Sequence, residues 1–268
     1  MGFLFYIETK RHKILFDSGP SEETLNNAKI LKVDLRKVDI AILSHGHYDH
    51  SGGLLDFAAL NPKAKIYMQR GASGENYAFD GPEKGFRYIG IDKNILELPQ
   101  VVLLDGDIKN DEELSLFRID QRKFPLPSTN RRIMKKLSEG GTSPSDAAAY
   151  TQDDFSHEHC LFIDGGKEET AIISGCAHNG ILNIMEEFIR KFGKDKLPKV
   201  VISGFHLMKK SGYQVKDFEE AREIAKLLTA YPCKFYTCHC TGIEPYEQMK
   251  TVMGNQLNYF HTGNKLKL

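Results

Sequence analysis

Ser44-His45-Gly46-His47-Tyr48-Asp49-His50-Ser51-Gly52-Gly53 puts three imidazoles and a carboxylate into one short loop, directly after the apolar run Val38–Leu43. A nearly continuous apolar run of that length reads as a strand buried on both faces. Alternate residues of an extended segment face the same way, so His45 and His47 can hold one metal ion together. Asp49 and His50 follow as the chain turns toward a helix at Gly52–Leu60, where they can reach a second ion. Gly46, Gly52 and Gly53 give a tight loop the small residues it needs.

The same arrangement recurs downstream. His178 stands beyond the apolar strand Ala171–Ser174, His206 beyond Lys199–Ser203, and His239 beyond Lys234–Cys238. Several strand ends that each deliver an imidazole point to one shared rim, the usual place for a site in sheet-based folds.

Around these segments the chain alternates short strands with helical patterns. Phe3–Glu8 and His12–Phe16 read as a hairpin turning at Lys10-Arg11, and Ser21–Leu31 as a helix entered through Pro20-Ser21. Lys65–Gln69 is a further strand. From about residue 71 to 154 the pattern weakens: Phe86–Ile89, Val101–Leu104 and Leu116–Ile119 are strand candidates within a long excursion that could cap a site. Arg131-Arg132 with Lys135-Lys136 reads as a solvated helix face, or as a seat for a substrate phosphate. Regularity returns with a hairpin of Cys160–Asp164 and Ala171–Ser174, turning at Gly165-Gly166. Then come helices Ile181–Phe192, Val215–Ala230 and Glu244–Met253, and a last strand Gln256–Phe260. In Val215–Ala230, Phe218, Ala221, Ile224, Ala225 and Leu228 recur at helical spacing and give one buried face. Early hairpins followed by alternating strands and helices suggest two sheets with helices outside, a four-layer αββα sandwich of the α/β class.

Composition narrows the function. The chain has 268 residues, 36 basic and 36 acidic, 41% apolar and 27% charged. That length allows one large domain or two modest ones. A formal net charge of zero argues against coating nucleic acid or an anionic membrane. No apolar run approaches the roughly 20 residues of a membrane helix. Met1–Ile7 is short, lacks a basic start and runs into Glu8 and Lys10, unlike a secretory signal, so a cytoplasmic protein is expected. The five cysteines, Cys160, Cys176, Cys233, Cys238 and Cys240, form no C-x-x-C pair and read as buried small hydrophobes, Cys176 excepted.

His45-x-His47-x-Asp49-His50 after a buried strand resembles the signature of the metallo-β-lactamase-fold superfamily. Asp17, at the end of Ile14-Leu15-Phe16-Asp17, matches that superfamily's strand-end aspartate, which usually braces the metal loop. Ser174-Gly175-Cys176-Ala177-His178-Asn179-Gly180-Ile181, Gly204-Phe205-His206-Leu207 and Cys238-His239-Cys240-Thr241-Gly242 are similar to one subgroup. It is named for a synthase of 7,8-dihydropterin-6-yl-methyl-4-(β-D-ribofuranosyl)aminobenzene 5′-phosphate, and many members are called only metal-dependent hydrolases. The match covers Phe3–Asp56 and Asp153–Gly263 well and residues 71–154 poorly, so a single domain over 1–268 with an insertion or cap is expected. The chain opens at Met1-Gly2-Phe3, where relatives usually carry another strand: either the first sheet lacks an edge strand or the gene starts upstream.

What the resemblance implies is a pair of divalent metal ions, zinc first, with manganese or iron as alternatives. The ligands would be His45, His47, Asp49, His50, His178 and His239. Two departures matter. Where most relatives have a bridging Asp after Gly, Gly175 is followed by Cys176, which is either a ligand or a buried structural thiol. The usual third histidine of the first metal has only a rough equivalent in Asp153-Asp154-Phe155-Ser156-His157-Glu158, so His178 is expected to replace it. Glu158 and Asp154 are candidate site residues, or exposed loop carboxylates, with Glu158 assigned to substrate. His206 would touch substrate or satisfy a core hydrogen bond, and the first is favoured. His239 would face the site while strand alternation turns Cys238 and Cys240 away. His12, His157, His159 and His261 carry no supporting pattern and read as surface or hairpin residues.

The chemistry expected is attack by a metal-activated water on an ester, lactone or phosphoester of a small molecule, phosphorylated or not. Asp49 would orient the water or take its proton, and His206 would polarise substrate or protonate the leaving group. A phosphoribosyl transferase of the synthase kind is the alternative. A metal or redox protein without hydrolysis is the third reading, disfavoured because no G-x-G-x-x-G segment offers a nucleotide cofactor site.

Overall fold

The computed structural model describes residues 2–137, 147–166 and 169–268. The chain divides into two compact units, Met1–Gly106 with Arg131–Glu158, and Asp107–Asn130 with His159–Leu268. Part of the 71–154 stretch read as an excursion, residues 138–146, lies outside the described residues.

In the first unit a five-stranded sheet runs in the order Phe5–Glu8, Lys13–Phe16, Ile40–Leu43, Lys65–Gln69, Val101–Leu104. The first pair is the expected antiparallel hairpin and the other pairings are parallel. Ile40–Leu43 is the middle strand and every residue in it is buried, which is why its sequence shows no polar alternation. Helix Leu54–Leu60 turns Leu54, Phe57 and Ala58, one helical face, into a core with Leu15, Leu43, Ile66 and Met68. The helix expected over Gly52–Leu60 runs over Leu54–Leu60, and a separate short helix, Tyr48–Ser51, precedes it across Gly52-Gly53. A Cβ on Gly52 would lie 2.1 Å from the Pro20 carbonyl oxygen, so only glycine lets these segments meet.

A second, antiparallel sheet in this unit has the order Tyr150–Gln152, Ile133–Lys136, Asn76–Phe79, Phe86–Tyr88. The basic segment read as a helix face is therefore a strand from Ile133 on. Only Ile133 of that strand is buried, and a strand with one covered residue lacks the period-2 signal that would reveal it.

The second unit holds a seven-stranded mixed sheet. Its order is Leu257–Tyr259, Lys234–Thr237, Val200–Ser203, Thr170–Ile173, His159–Asp164, Leu114–Arg118, Ile108–Lys109. The first four are parallel and the rest antiparallel. Helices Ile181–Phe192, Val215–Leu228 and Ile243–Met253 supply Ile184, Phe188, Ala221, Ala225 and Met249 to its core. Phe188 packs edge-on against Phe117 and Phe162 and stacks on Phe192. A fully buried ring of this kind contributes on the order of 2–3 kcal/mol. The α/β class with mixed sheets is thus the one the sequence indicated. Among the described residues no helix is long and apolar enough to cross a membrane.

Candidate metal centre

In the first unit Asp17 and Ser44 follow directly on two adjacent parallel strands. Asp17 is fully buried with a left-handed backbone, φ 58°. Its Oδ1 accepts the Ser44 N–H at 2.7 Å, and its Oδ2 accepts from Ser44 Oγ at 2.8 Å and His50 Nδ1 at 2.7 Å. A carboxylate only accepts, so His50 carries its proton on Nδ1 and its lone pair on Nε2. Ser44 has given its own proton to Asp17, so at 2.8 Å it accepts from His45 Nδ1. One buried carboxylate therefore sets the tautomer of two imidazoles, directly and through a hydroxyl, and leaves the ring lone pair of each on Nε2.

The rings are close. His45 lies 4.6 Å from His47 and 4.1 Å from His50, centroid to centroid. This proximity does not come from an extended segment, as the alternation argument assumed: His47 N–H bonds back to the His45 carbonyl at 3.0 Å, so the chain bends between them. Gly46 makes the bend fit, since a Cβ there would sit 2.5 Å from the Ala72 carbonyl oxygen. Asp49 opens the Tyr48–Ser51 helix, partly exposed, with Oδ2 4.0 Å from His50 Nε2. Burial, reinforced by the neighbouring His157 ring, lowers the His47 pKa to about 3, so the ring is a neutral donor near pH 7. Neutral imidazoles with one carboxylate at the edge suit a divalent cation.

Two residues of this centre escaped the sequence reading. His157, taken as a surface residue, is buried, and its Nδ1 accepts the Gly46 N–H at 3.1 Å. Its Nε2 donates to Asp153 Oδ2 at 3.1 Å. Burial opposes the charge on Asp153, but the hydrogen bond and charge of His157 outweigh it and hold the carboxyl at about 2. Donor atoms of His47, Asp153 and His157 lie within 4.8 Å of one another. His157 thus braces the histidine loop, and an ion bound there would have to take over one of its two engaged nitrogens. The signals for them were a His four residues after an Asp, just before an apolar strand, and the rough match of Asp153–Glu158 to the segment where relatives carry a third histidine. Glu158, assigned to substrate or else to an exposed loop, and His159, read as a surface or hairpin residue, are fully buried, whereas Asp154 is exposed, its carboxylate accepting the Ser156 N–H.

In the second unit Cys176, His178 and His239 are buried, and His206 is half-buried. His178 and His206 lie 4.2 Å apart, centroid to centroid. Asn130 meets His178 twice, at Nδ1 (3.0 Å) and at the carbonyl (2.6 Å). Thr129 Oγ1 meets His206 in the same two places, 2.9 Å from Nδ1. Neither Thr129 nor Asn130 carries a sequence signal, because both look like ordinary loop polars. His239 does not sit on a strand: the strand stops at Thr237, and His239 opens a 3-10 turn with φ 51°. Strand alternation therefore does not explain the buried Cys238 and Cys240. Gly204 is needed because a Cβ would lie 2.6 Å from Cys240 Sγ. All five cysteines are buried thiols outside any disulfide, and burial raises the Cys233 thiol to about 12.

Among the described residues six non-glycines have left-handed backbone, and five of them, Asp17, Phe155, Ala177, His206 and His239, are themselves these side chains or lie within two residues of them. Such conformations persist only where the surroundings impose them, and they gather at functional sites.

The model of the Metallo-beta-lactamase superfamily matches residues 1–227. An uncharacterized protein of Methanocaldococcus jannaschii is 28% identical over 98% of this chain and 91% of its own length. From the same organism, a 7,8-dihydropterin-6-methyl-4-(beta-D-ribofuranosyl)-aminobenzene-5'-phosphate synthase is 26% identical over 100% of this chain and 89% of its own. A solved structure described as Tm1679, a metal-dependent hydrolase of the beta-lactamase superfamily, superposes with a TM-score of 0.76 at 25% identity, covering 98% of this chain and 93% of that one.

Proposed function

Because the chain belongs to the metallo-beta-lactamase superfamily, we propose that this enzyme is a metal-dependent hydrolase acting on an ester, lactone or phosphoester of a small molecule. The observation that carries the reading is the Asp17–Ser44–His45 and Asp17–His50 network, which presets two buried imidazoles in the metal-binding tautomer. The ligands we propose are His45, His47, Asp49 and His50 of the first unit and Cys176, His178 and His239 of the second. Two divalent ions, zinc first, would supply Lewis acidity and an activated water. Asp49, the partly exposed carboxylate of the loop, takes the proton of the attacking water. His206, half-buried and held through Nδ1, takes up a proton at Nε2 and, as the imidazolium, hands it to the leaving group. Glu158 is too deeply buried to favour a place against substrate, and we assign it none. Five buried cysteines held as thiols support a reducing, cytoplasmic setting.

The test is elemental analysis of chelator-free, untagged protein, followed by an ester, lactone and phosphodiester panel with zinc, manganese and iron forms. Near two metal equivalents with turnover on one substrate class supports the reading. Failure of every reconstituted form across the panel overturns it.

A second reading has one observation in its favour, the full-length similarity to the synthase. In that case the enzyme transfers a phosphoribosyl group to an aromatic amine. Release of pyrophosphate from a phosphoribosyl donor, dependent on the amine, would replace hydrolysis with this activity.

A further inference from the structure

We infer that Thr129 and Asn130 are positioning residues: as adjacent residues of one strap, they fix the proton on Nδ1 of His206 and His178 and leave Nε2 of each ring as its basic nitrogen. The functional weight of this rests on the proposed roles of the two histidines; the geometry does not.

The argument starts from two carbonyls. A backbone carbonyl only accepts, so the atom of Asn130 facing the His178 carbonyl at 2.6 Å must be the amide nitrogen. That settles the amide orientation and presents Oδ1, an acceptor, to His178 Nδ1 at 3.0 Å. His178 therefore donates from Nδ1. Thr129 repeats the logic. Its hydroxyl proton goes to the His206 carbonyl, so its oxygen accepts from His206 Nδ1 at 2.9 Å. In both cases the histidine's own carbonyl orients the side chain that then dictates its ring. These bonds also hold backbone that would otherwise relax, since His206 and Ala177, the residue before His178, are left-handed at φ 51° and 48°.

The strap is fixed along its length. Asp120 N–H donates to Glu187 Oε1 at 3.2 Å, and Lys123 and Phe124 N–H both donate to Asn183 Oδ1 at 2.8 Å. Asn183 Nδ2 returns a bond to the Phe124 carbonyl at 2.9 Å, and Arg122 Nε donates to Asn179 Oδ1 at 2.7 Å. Pro125 and Pro127 stiffen the next stretch, and Ser128 N–H is held by Glu220 Oε1 at 2.9 Å. Helices Ile181–Phe192 and Val215–Leu228 thus carry the strap that sets the two rings. Asn183 and Glu187, one turn apart on Ile181–Phe192, are both buried, and both accept N–H groups of the strap.

The experiment uses metal-free, 15N-histidine-labelled protein at about pH 8.5, where imidazoles are neutral, and reads ring tautomers from long-range 1H–15N correlations. Wild type should show Nδ1–H for both His178 and His206. Thr129→Val should move His206 to mixed tautomers and leave His178 alone, Thr129→Ser should restore wild type, and Asn130→Ala should move His178. Zinc affinity by chelator competition should fall roughly 10–100-fold in Asn130→Ala. An Nε2–H ring in wild type, or folded variants whose rings do not change, would overturn the inference. If Asn130→Ala does not fold, the Thr129→Val and Thr129→Ser pair decides. Wild type with these tautomers but no zinc binding would sink the hydrolase reading and leave this inference standing.

Discussion

His50 Nδ1 lies 2.7 Å from Asp17 Oδ2 with both side chains fully buried, across 33 residues of sequence. The pair ties the histidine loop to the neighbouring strand, so a loop of flexible composition behaves as part of the sheet. Asp17→Asn would put an amide where two protons now converge. We expect a loss of about 1.5–3 kcal/mol per charged hydrogen bond broken and a zinc affinity 10–100-fold weaker. Urea unfolding and chelator competition measure the two; unchanged zinc affinity would remove Asp17 from the metal reading.

Gly46→Ala tests the bend between His45 and His47. The new methyl would press on the Ala72 carbonyl oxygen at 2.5 Å and on Asn76 Nδ2 at 2.8 Å, both fixed. Overpacking of this kind costs about 1–3 kcal/mol. The denaturation midpoint should drop accordingly, and the bond from Gly46 N–H to His157 should weaken with it. A variant as stable as wild type would show that the bend can open without cost.

Glu187 gives a pH prediction away from the histidines. Burial raises its pKa, but the Arg190 hydrogen bond and the Asp120 N–H more than compensate, so the carboxyl sits below its usual range. A depressed acid stabilises the fold above its unfolded pKa, near 4.3, and that contribution disappears as pH falls through the lower folded value. Wild type should therefore lose more stability than Glu187→Gln between pH 6 and pH 3. Parallel urea curves for the two proteins at both pH values would contradict the assignment.

Metal removal should be visible without any substrate. An ion that binds only the folded chain adds about 2.7 kcal/mol at 100 times its dissociation constant. Chelator-treated protein should melt at a lower temperature and recover with zinc, and His47→Ala should recover less. An identical melting curve with and without zinc would mean the imidazole loop does not bind the ion.

Much of this was readable in the chain. Lys65–Gln69, Val101–Leu104 and Ile181–Phe192 have the same limits in sequence and structure, because their apolar periods end at Gly, Pro or charged residues. The histidines beyond strand ends were readable because short apolar strands fix where the chain leaves the sheet. Asn76–Phe79 and Ile133–Lys136 were not, since they pair with each other across more than fifty residues and present half-exposed faces. His157, Thr129 and Asn130 were hidden for a related reason. Their roles lie in hydrogen bonds to backbone atoms far along the chain, and backbone atoms leave no trace in the one-letter sequence.

The strap also has a place in time. Thr129 meets His206 across 77 residues, and Asn130 meets His178 across 48. Closing loops of that size costs entropy that only an assembled partner surface can recover, so such contacts form late in folding. While the chain is still emerging, each ring trades its proton freely between its two nitrogens, and neither has a preferred basic edge. That edge is conferred at the end of folding, when both helices have docked and the strap is drawn across them. The imidazoles come from the sequence, whereas their chemical polarity is a late product of tertiary structure.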